Sequence, residues 1–182
     1  YHQAQEAGVR AIIGAEITLD DDSVLPVLVA TRKGYQNLTQ LLTRSQLGSQ
    51  KGECRTSWQA LETFHEGLVC LTGDEESPVW QAVQRRDFTK AQRIVEELVR
   101  IFGHSQVYVE IQRHHVRGEH RIVRHLVDLA EHQGLPVVAT NGVLYATPEA
   151  RGVHDVFTCL RHHTHLDAAD GLLTRNAERH LK

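Results

Sequence analysis

Five polar side chains that could take part in metal chemistry directly follow predicted strands. Glu16 ends the first strand, Asp74 follows the third, His114 and His115 follow the fourth, and Asn141 follows the fifth. Ligand sites of parallel α/β proteins lie at the carboxyl ends of the strands, so these side chains are expected along one edge of a sheet. Carboxylates and imidazoles gathered there can hold Zn, Mn or Fe for metal-assisted hydrolysis. Loops are polar by default, however, and the spacing alone favours ordinary exposed loop residues.

Other sequence features are weaker starting points for catalysis. The tract His162–His165 (HHTH) is rich in potential ligands, but neighbouring histidines in a loop point in different directions, which favours surface histidines. His120, His125 and His132 fall on a predicted polar helix and are interpreted as solvated. Cys70 lies in the middle of a predicted strand, where a thiol is buried and unreactive. The sequence contains no GxSxG, Walker or GxGxxG motif.

The elements that must position the candidate residues are strands alternating with helices. This alternation predicts an α/β fold with a mostly parallel, helix-covered sheet, and five strands suit a partial or irregular barrel better than a closed eight-stranded one. Ile12 and Ile13 are expected to be buried, and Leu166–Lys182 is predicted to form two short helical pieces. The predicted strands are Val9–Ile17, Leu25–Ala30, Leu68–Leu71, Val107–Gln112 and Pro136–Thr140, and the longer predicted helices are Gly34–Leu47, Ser57–His65, Phe88–Phe102, Glu119–Gln133 and Pro148–Leu160.

Composition and charge exclude several classes of function. The chain has 182 residues, and 20 Lys and Arg against 23 Asp and Glu give a formal net charge of −3. No global positive field therefore favours nucleic acid, and any contact with DNA must be local or made elsewhere. No apolar run approaches the roughly 20 residues that span a bilayer, and three widely spaced cysteines suit a reducing cytoplasm. The chain has no Met and opens at Tyr1 inside a predicted helix, which indicates a piece of a longer protein.

Several segments together resemble the PHP domain, named for polymerase and histidinol phosphatase, of bacterial C-family DNA polymerases. Within that family the chain is most similar to the error-prone homologue of the DNA polymerase III alpha subunit, on account of its RNAERHLK ending and its altered ligand positions. The segments occur in family order over nearly the whole chain: EAGVRAIIGAEI (6–17), ATRKGYQNLTQLL (30–42), YVEIQRH (108–114), GLPVVATN (134–141), DVFTCLR (155–161) and RNAERHLK (175–182).

The resemblance implies a partial, irregular (β/α)7 barrel of the TIM-like PHP type, with a metal cluster at its carboxyl-terminal rim. Residues 1–182 would form a single PHP domain fragment with no second domain. The family's opening HxH strand and the DH turn that follows it would precede Tyr1. The resemblance thus agrees with the fold class that the strand and helix pattern predicts.

The resemblance also implies which positions would hold metal, and three of them carry side chains that cannot do so. Glu16 matches the Glu of the family's GxE motif, Asp74 takes the place of a Cys, and His114 matches a family motif. These three are therefore the candidate vestigial metal ligands. The lost positions are Leu25, in place of a His, and Gly142 and Leu144, in place of the Asp and His of NDxHY.

Two functions remain open at this level. In the first, the chain is a non-catalytic structural and interaction domain of an error-prone DNA polymerase, a nucleotidyltransferase that would use Mg for DNA synthesis in damage tolerance and repair in the bacterial cytoplasm. In the second, it is a metal-dependent phosphoesterase or a 3′–5′ proofreading exonuclease with a site reduced to Glu16, Asp74 and His114. The first hypothesis places no catalytic residue in the chain.

Expected cofactors and partners follow from the first function. No cofactor is expected to be firmly bound, and at most one Zn or Mn ion is expected at the rim. The expected partners are the rest of the polymerase chain, DNA and deoxynucleotides through the parent protein, and other replication or translesion proteins. No membrane partner is expected.

Overall fold

A computed structural model of the chain describes residues 2–50, 53–169 and 171–182. Within those residues the fold is mixed α/β, with five strands and seven α-helices. The strands are β1 Gly14–Thr18, β2 Val24–Val29, β3 Leu68–Leu71, β4 Val107–Gln112 and β5 Val137–Thr140, and the helices are α1 His2–Glu6, α2 Arg32–Leu47, α3 Trp58–Phe64, α4 Pro78–Gln84, α5 Phe88–Phe102, α6 Glu119–Gln133 and α7 Arg151–Arg161. None of the helices in the described part of the chain has the length and apolar character needed to cross a bilayer.

The strands form one sheet in the order β1-β2-β3-β4-β5. β3 pairs with β4 and β4 with β5 in parallel, as predicted, whereas β2 is antiparallel to both β1 and β3. The expectation of a mostly parallel sheet is therefore wrong for β2. Only residues 19–23 join β1 to β2, and Leu19 N donates to Ser23 O at 2.8 Å. A parallel crossover needs a dozen or more residues, so this short acidic turn forces a hairpin.

The covering helices follow from apolar spacing and explicit caps. In α5, Val95, Leu98 and Phe102 recur at helical spacing and are buried against the sheet side of the molecule. The Asp87 carboxylate begins this helix by accepting a hydrogen bond from the backbone N of Lys90 at 3.0 Å. Together with leucines and valines of β1 to β4, α2, α3, α4 and α6, these side chains make one continuous core.

Parts of the predicted strands lie outside this core. The prediction that Ile12 and Ile13 are buried is wrong, because they are 62% and 41% exposed. β1 begins only at Gly14, opposite Leu28, and the last bond to β2 is from Val29 N to Ile13 O at 2.8 Å. Residues 9–12 run past the end of β2, and residues 9–13 are all exposed. The edge strand β5 is also partly open, with Val137 41% exposed.

A glycine contact fixes where α2 meets the turn before β3. A Cβ built on Gly34 would lie 1.9 Å from the carbonyl oxygen of Gly67. The same oxygen accepts hydrogen bonds from the backbone N of Ala30 and of Thr31 at 2.9 and 3.3 Å. Thr31 Oγ1 in turn accepts from the backbone N of Gly34, which makes Thr31 the N-cap of α2. The first turn of α2 therefore depends on a residue without a side chain at position 34.

We expect Gly34→Ala to destabilise the chain by about 2–5 kcal/mol, because a backbone carbonyl cannot move aside without breaking these bonds. Gly152→Ala is the matched control, since Gly152 lies within α7 and a Cβ there meets no atom within 4 Å. It should be neutral or stabilising by up to about 1 kcal/mol. Urea unfolding followed by circular dichroism measures both changes, and equal effects in the two variants would contradict this account of the contact.

Candidate functional site

The strand ends form a common rim, defined here as Glu16, Leu25, Asp74, His114, Asn141 and Gly142. β1, β3, β4 and β5 all point the same way, and β2 points the opposite way, so its first residues lie at the same edge. Val24 N, for example, donates to the carbonyl oxygen of Glu76 in the loop after β3, at 3.0 Å. Asp74, His114 and Asn141 therefore follow strands that end at one edge of the sheet, whereas Glu16 is the central residue of β1, opposite Pro26, and not at its end as the sequence predicts.

A cationic side chain from the end of the sequence lies at this rim. Arg179 Nη2 is 3.1 Å from Asp74 Oδ2, and Arg179 Nε donates to the carbonyl oxygen of Gly142 at 2.7 Å. Arg179 Nη1 lies 3.5 Å from Glu75 Oε1. The side chains of Arg179 and Asp74 are only 17% and 24% exposed, so the charge-assisted bond between them is poorly screened. Arg179 therefore joins the ends of β3 and β5.

Residues 176–181, called the strap below, hold Arg179 in place. The prediction of two helical pieces in the tail holds only for a short 3-10 turn at Leu166–Ala168, and the second piece is wrong because the strap is an irregular, non-helical segment with one β-bridge, between His180 and Tyr145. Residues 141–145 engage most of the strap's bonded backbone groups, and the side chains of Asn176 and His180 engage two more within the strap. The bonds with residues 141–145 are Asn141 Nδ2 to Glu178 O (2.9 Å) and His180 O (2.6 Å), Leu144 N to Arg179 O (2.9 Å), Leu181 N to Tyr145 O (3.1 Å) and Tyr145 Oη to Asn176 O (3.0 Å).

His114 is used as a structural link rather than left free at the rim. Its Nε2 lies 3.0 Å from the carbonyl oxygen of Asn141, a contact in which only the ring nitrogen can donate. Its backbone N donates to both carboxylate oxygens of the buried Glu119 at 2.8 and 2.9 Å. Asn176 Nδ2 donates to the carbonyl oxygen of His114 at 2.6 Å. His114 therefore binds β4, α6, β5 and the strap together.

A buried polar network beneath the rim was not found by sequence reasoning. Glu110 is 4% exposed, and its Oε1 accepts hydrogen bonds from Gln112 Nε2, at 3.0 Å, and from the Thr140 hydroxyl. The backbone N of Glu110 donates to Thr72 Oγ1 at 2.9 Å. Glu110 Oε2 is buried and has no hydrogen-bond partner within the described part of the chain. The available signal was a Glu and a Gln within the otherwise apolar strand VYVEIQ.

The candidate metal ligands do not fit a metal cluster. Glu16 is exposed, Asp74 is paired with Arg179, and the His114 Nε2 proton faces a carbonyl oxygen. In residues 2–50, 53–169 and 171–182, no three His, Cys, Asp or Glu side chains are placed to hold one ion. The residues present thus offer a reduced set of donors, and the donor groups of Asp74 and His114 are already engaged.

At the three positions that are predicted to have lost a metal ligand, the structure contains groups that do not bind metal. Leu25 is fully buried, and Leu144 is 40% exposed beside the strap. Gly142 has φ 48°, and a Cβ there would lie 2.6 Å from Arg179 Nη2 and from Gln112 Oε1. A larger residue at position 142 would therefore compete with the guanidinium of Arg179 for the same space.

Other candidate groups are placed as the sequence predicts. His162, His163 and His165 are exposed, in agreement with surface histidines. Cys70 is fully buried, and this burial, together with the negative charge of Glu110, raises the pKa of its thiol far above the ordinary value. A thiol that cannot ionise is not a nucleophile.

Carboxylates crowd around Arg179 at the rim. Glu76 is exposed, yet neighbouring protein atoms partly shield its carboxyl group from water, and this loss of hydration raises its pKa. The negative charges of Asp74, Glu16 and Glu75 raise the pKa further. The positive charge of Arg179 acts in the opposite direction on the same group. The rim therefore carries more negative charge than its one cation compensates.

Comparison with known proteins gives a consistent result. Residues 1–114 match the family described as PHP domain. The chain is 31% identical to an error-prone DNA polymerase of Symbiobacterium thermophilum, over 99% of its own length and 18% of the relative. It is 31% identical to error-prone DNA polymerase 1 of Agrobacterium fabrum and 30% identical to a DNA polymerase III subunit alpha of Pseudomonas aeruginosa, in each case over 100% of the chain and 16% of the relative. The chain thus spans less than a fifth of the length of these relatives.

We expect Arg179→Met to destabilise the chain by about 1–3 kcal/mol, because it leaves the Asp74 carboxylate and the Gly142 carbonyl without their partner. Lys182→Met is the matched control, since Lys182 makes an ion pair with Glu178 in which both side chains are well exposed. That change should cost no more than about 0.5 kcal/mol. Urea unfolding measures both, and a loss in Arg179→Met no greater than in the control would contradict a role for Arg179 as the rim's cross-link.

We expect Glu76→Gln to raise the thermal midpoint at pH 7. A carboxyl with a raised folded pKa binds protons more tightly in the folded state, so stability falls as pH rises through that pKa. The gain from Glu76→Gln should therefore shrink as pH falls to about 4, where the unfolded carboxyl is itself half protonated. Glu66→Gln is the control, since the exposed Glu66 side chain makes no hydrogen bond or ion pair with a described residue. A gain independent of pH would argue against charge repulsion.

Proposed function

Since the chain belongs to the PHP domain family, we propose that it is the PHP domain of a bacterial error-prone DNA polymerase of the polymerase III alpha type. Its relatives carry the names error-prone DNA polymerase and DNA polymerase III subunit alpha. In this proposal the parent protein is a DNA-directed nucleotidyltransferase that acts in damage tolerance and repair. Residues 1–182 are one PHP unit of a partial (β/α)7 barrel, and the HxH and DH segments precede it. The chain itself contributes structure and partner contacts rather than catalysis.

The observation that supports a non-catalytic role is the position of Arg179. Its guanidinium bonds to Asp74 and Gly142 at the rim, where a hydrolase of this architecture would hold ions. A guanidinium can attract a phosphate by charge and hydrogen bonds, but it does not coordinate a water molecule and lower its pKa for attack, as a metal ion does. Leu25, Gly142 and Leu144 cannot coordinate a metal ion either. These residues and the position of Arg179 together favour a rim that is stabilised by hydrogen bonds and an ion pair.

The competing function is a metal-dependent phosphoesterase or 3′–5′ proofreading exonuclease. Two observations favour it: Glu16, Asp74 and His114 lie on one rim, and the nearby Glu110 Oε2 is buried without a partner. Three protein ligands can hold one Zn ion with a water in the fourth position. In that case Glu16, Asp74 and His114 would be the ligands, and the hydrogen bond of His114 to Asn141 and the ion pair of Asp74 would have to be given up.

The proposal also specifies cofactors, partners and place of action. The chain holds no firmly bound cofactor and at most one Zn or Mn ion, whereas Mg serves the parent polymerase. The partners are the rest of the polymerase chain, DNA and deoxynucleotides through that parent, and other replication or translesion proteins. The parent acts in the bacterial cytoplasm and has no membrane partner.

Metal loading and hydrolysis test the proposal. After addition of Zn or Mn, we expect at most one ion per chain by mass spectrometry of the metal, no release of phosphate from a phosphomonoester and no removal of 3′ nucleotides from a primer. A chelator should leave the thermal midpoint unchanged, since the rim is held by Arg179.

The variant Glu16→Ala decides between the two functions, with Glu66→Ala as a control for an exposed glutamate away from the rim. Phosphate release that survives purification, disappears in Glu16→Ala and persists in Glu66→Ala would overturn the structural role. Binding of two or more ions per chain would do the same, because a multinuclear centre needs bridging carboxylates that the proposal denies.

A further inference from the structure

An exposed aromatic pair joins two helices, α5 and α6. The rings of Phe88, the first residue of α5, and His125, on α6, are 4.5 Å apart between centroids with an interplanar angle of 45°. Phe88 is 45% exposed, and His125 is exposed as well. The exposed part of the Phe88 ring, next to an exposed imidazole, offers an aromatic face that no described residue covers.

Basic side chains surround this pair. Residues 85–90 and 113–128 together contain seven Arg and Lys against three Asp and Glu, in a chain whose formal net charge is −3. We call the exposed part formed by Arg86, Phe88, Lys90, Arg121, Arg124 and His125 the basic surface. Arg124 and His125 lie three and four residues after Arg121 on α6, so each is a neighbour of Arg121 on the helix surface.

Within the part of the chain that the structure describes, the cations of these two segments have no side-chain partners. Arg55, Arg100, Arg151 and Arg179 each form ion pairs. None of the seven Arg and Lys in residues 85–90 and 113–128 has a carboxylate within 4 Å, or a side-chain hydrogen bond, among the described residues.

The three acidic side chains in these segments are already engaged. Asp87 caps α5, and the buried Glu119 accepts bonds from the backbone N of His114. Asp128 Oδ2 lies 4.0 Å from His125 Nδ1. The positive charge of the basic surface is therefore available to an external anion.

A groove adjoins this surface on α6. It has a volume of about 280 Å³ and is lined by Arg113, His120, Val123, Arg124 and Val127. Val123 and Val127 give it an apolar floor, while Arg113 and Arg124 supply positive charge at its sides. Arg124 belongs to both the groove and the basic surface, so the two are continuous.

We propose that the basic surface binds single-stranded DNA, with a base stacked on the Phe88 and His125 rings and phosphates held by Arg86, Arg121 and Arg124. Stacking platforms combined with unpaired cations are how proteins hold single strands without reading sequence. A duplex hides the faces of its bases, and Asp and Glu side chains carry no ring to stack on Phe88, so the aromatic pair favours a single strand. The choice of DNA over RNA rests on the polymerase function proposed above. The net negative chain thus makes a local contact with DNA.

Fluorescence anisotropy with a labelled oligothymidylate of about 15 nucleotides tests this on the 182-residue chain at about 50 mM salt without divalent metal. We expect a dissociation constant in the range of about 10⁻⁴ to 10⁻⁶ M. Affinity should fall steeply as salt is raised. Binding should also exceed that of a duplex of equal length and that of polyglutamate.

Variants separate stacking from charge. Phe88→Ala should weaken binding about tenfold or more, and Phe88→Trp should restore it. Arg121→Gln with Arg124→Gln should weaken binding and lower the salt slope by about 1.4, since each phosphate contact to a single strand contributes about 0.7. Arg86→Gly removes a further cation at a position with φ 62°, which glycine adopts without strain. Circular dichroism checks that each variant is folded.

Arg32→Gln with Lys33→Gln is the control, since both residues are exposed at the start of α2 and unpaired within the described residues. The proposal is overturned if the oligothymidylate does not bind, if polyglutamate, the duplex or an oligouridylate binds more tightly, or if the control variant loses as much affinity as the Arg121 and Arg124 pair. If Phe88→Ala fails to fold, unchanged salt dependence in the arginine variant overturns it instead. None of these results depends on hydrolysis or metal at the rim, so failure here leaves the proposed structural role to its own test.

Discussion

The guanidinium of Arg179 is the constraint on which the rim depends. It lies between the loop after β3 and the loop after β5, and it approaches Asp74 and Gly142 through separate nitrogens. A planar group with several donors in fixed directions can make these contacts at once, which a lysine ammonium cannot do in the same geometry. The path of the strap, the conformation of Gly142 and the orientation of Asp74 must therefore all be compatible with the plane of the Arg179 guanidinium.

This arrangement explains why position 142 lacks a side chain. Gly142 combines a positive φ with a position where any Cβ would meet Arg179 and Gln112. The guanidinium also supplies positive charge to a group of carboxylates. Partial loss of hydration raises the pKa of Glu76, the negative charges of Asp74, Glu16 and Glu75 raise it further, and Arg179 acts in the opposite direction. A fixed organic cation offsets part of the repulsion between these carboxylates without an exchangeable site, and an excess of negative charge remains at the rim.

Local signals predicted most elements, and long-range contacts account for what they missed. The caps Ser57 and Asp87 and the extents of β3, β4, α5 and α6 follow from residues close in sequence. The direction of β2 could also have been derived, because its five-residue connection excludes a crossover.

Local sequence patterns could not predict the conformation of the strap, because it depends on partners in residues 141–145. Asp74 and Arg179 are 105 residues apart, and no periodicity connects them.

The buried network around Glu110 has a comparable origin and a different consequence. Thr72 and Thr140, from the ends of the strands on either side, both bond to Glu110, so one residue of β4 ties the three parallel strands in register. Burying a carboxylate with one unpaired oxygen costs stability, and a slipped register would leave still more of these polar groups without partners. The network thus specifies the arrangement of strand ends on which Arg179 can bridge the loops after β3 and β5.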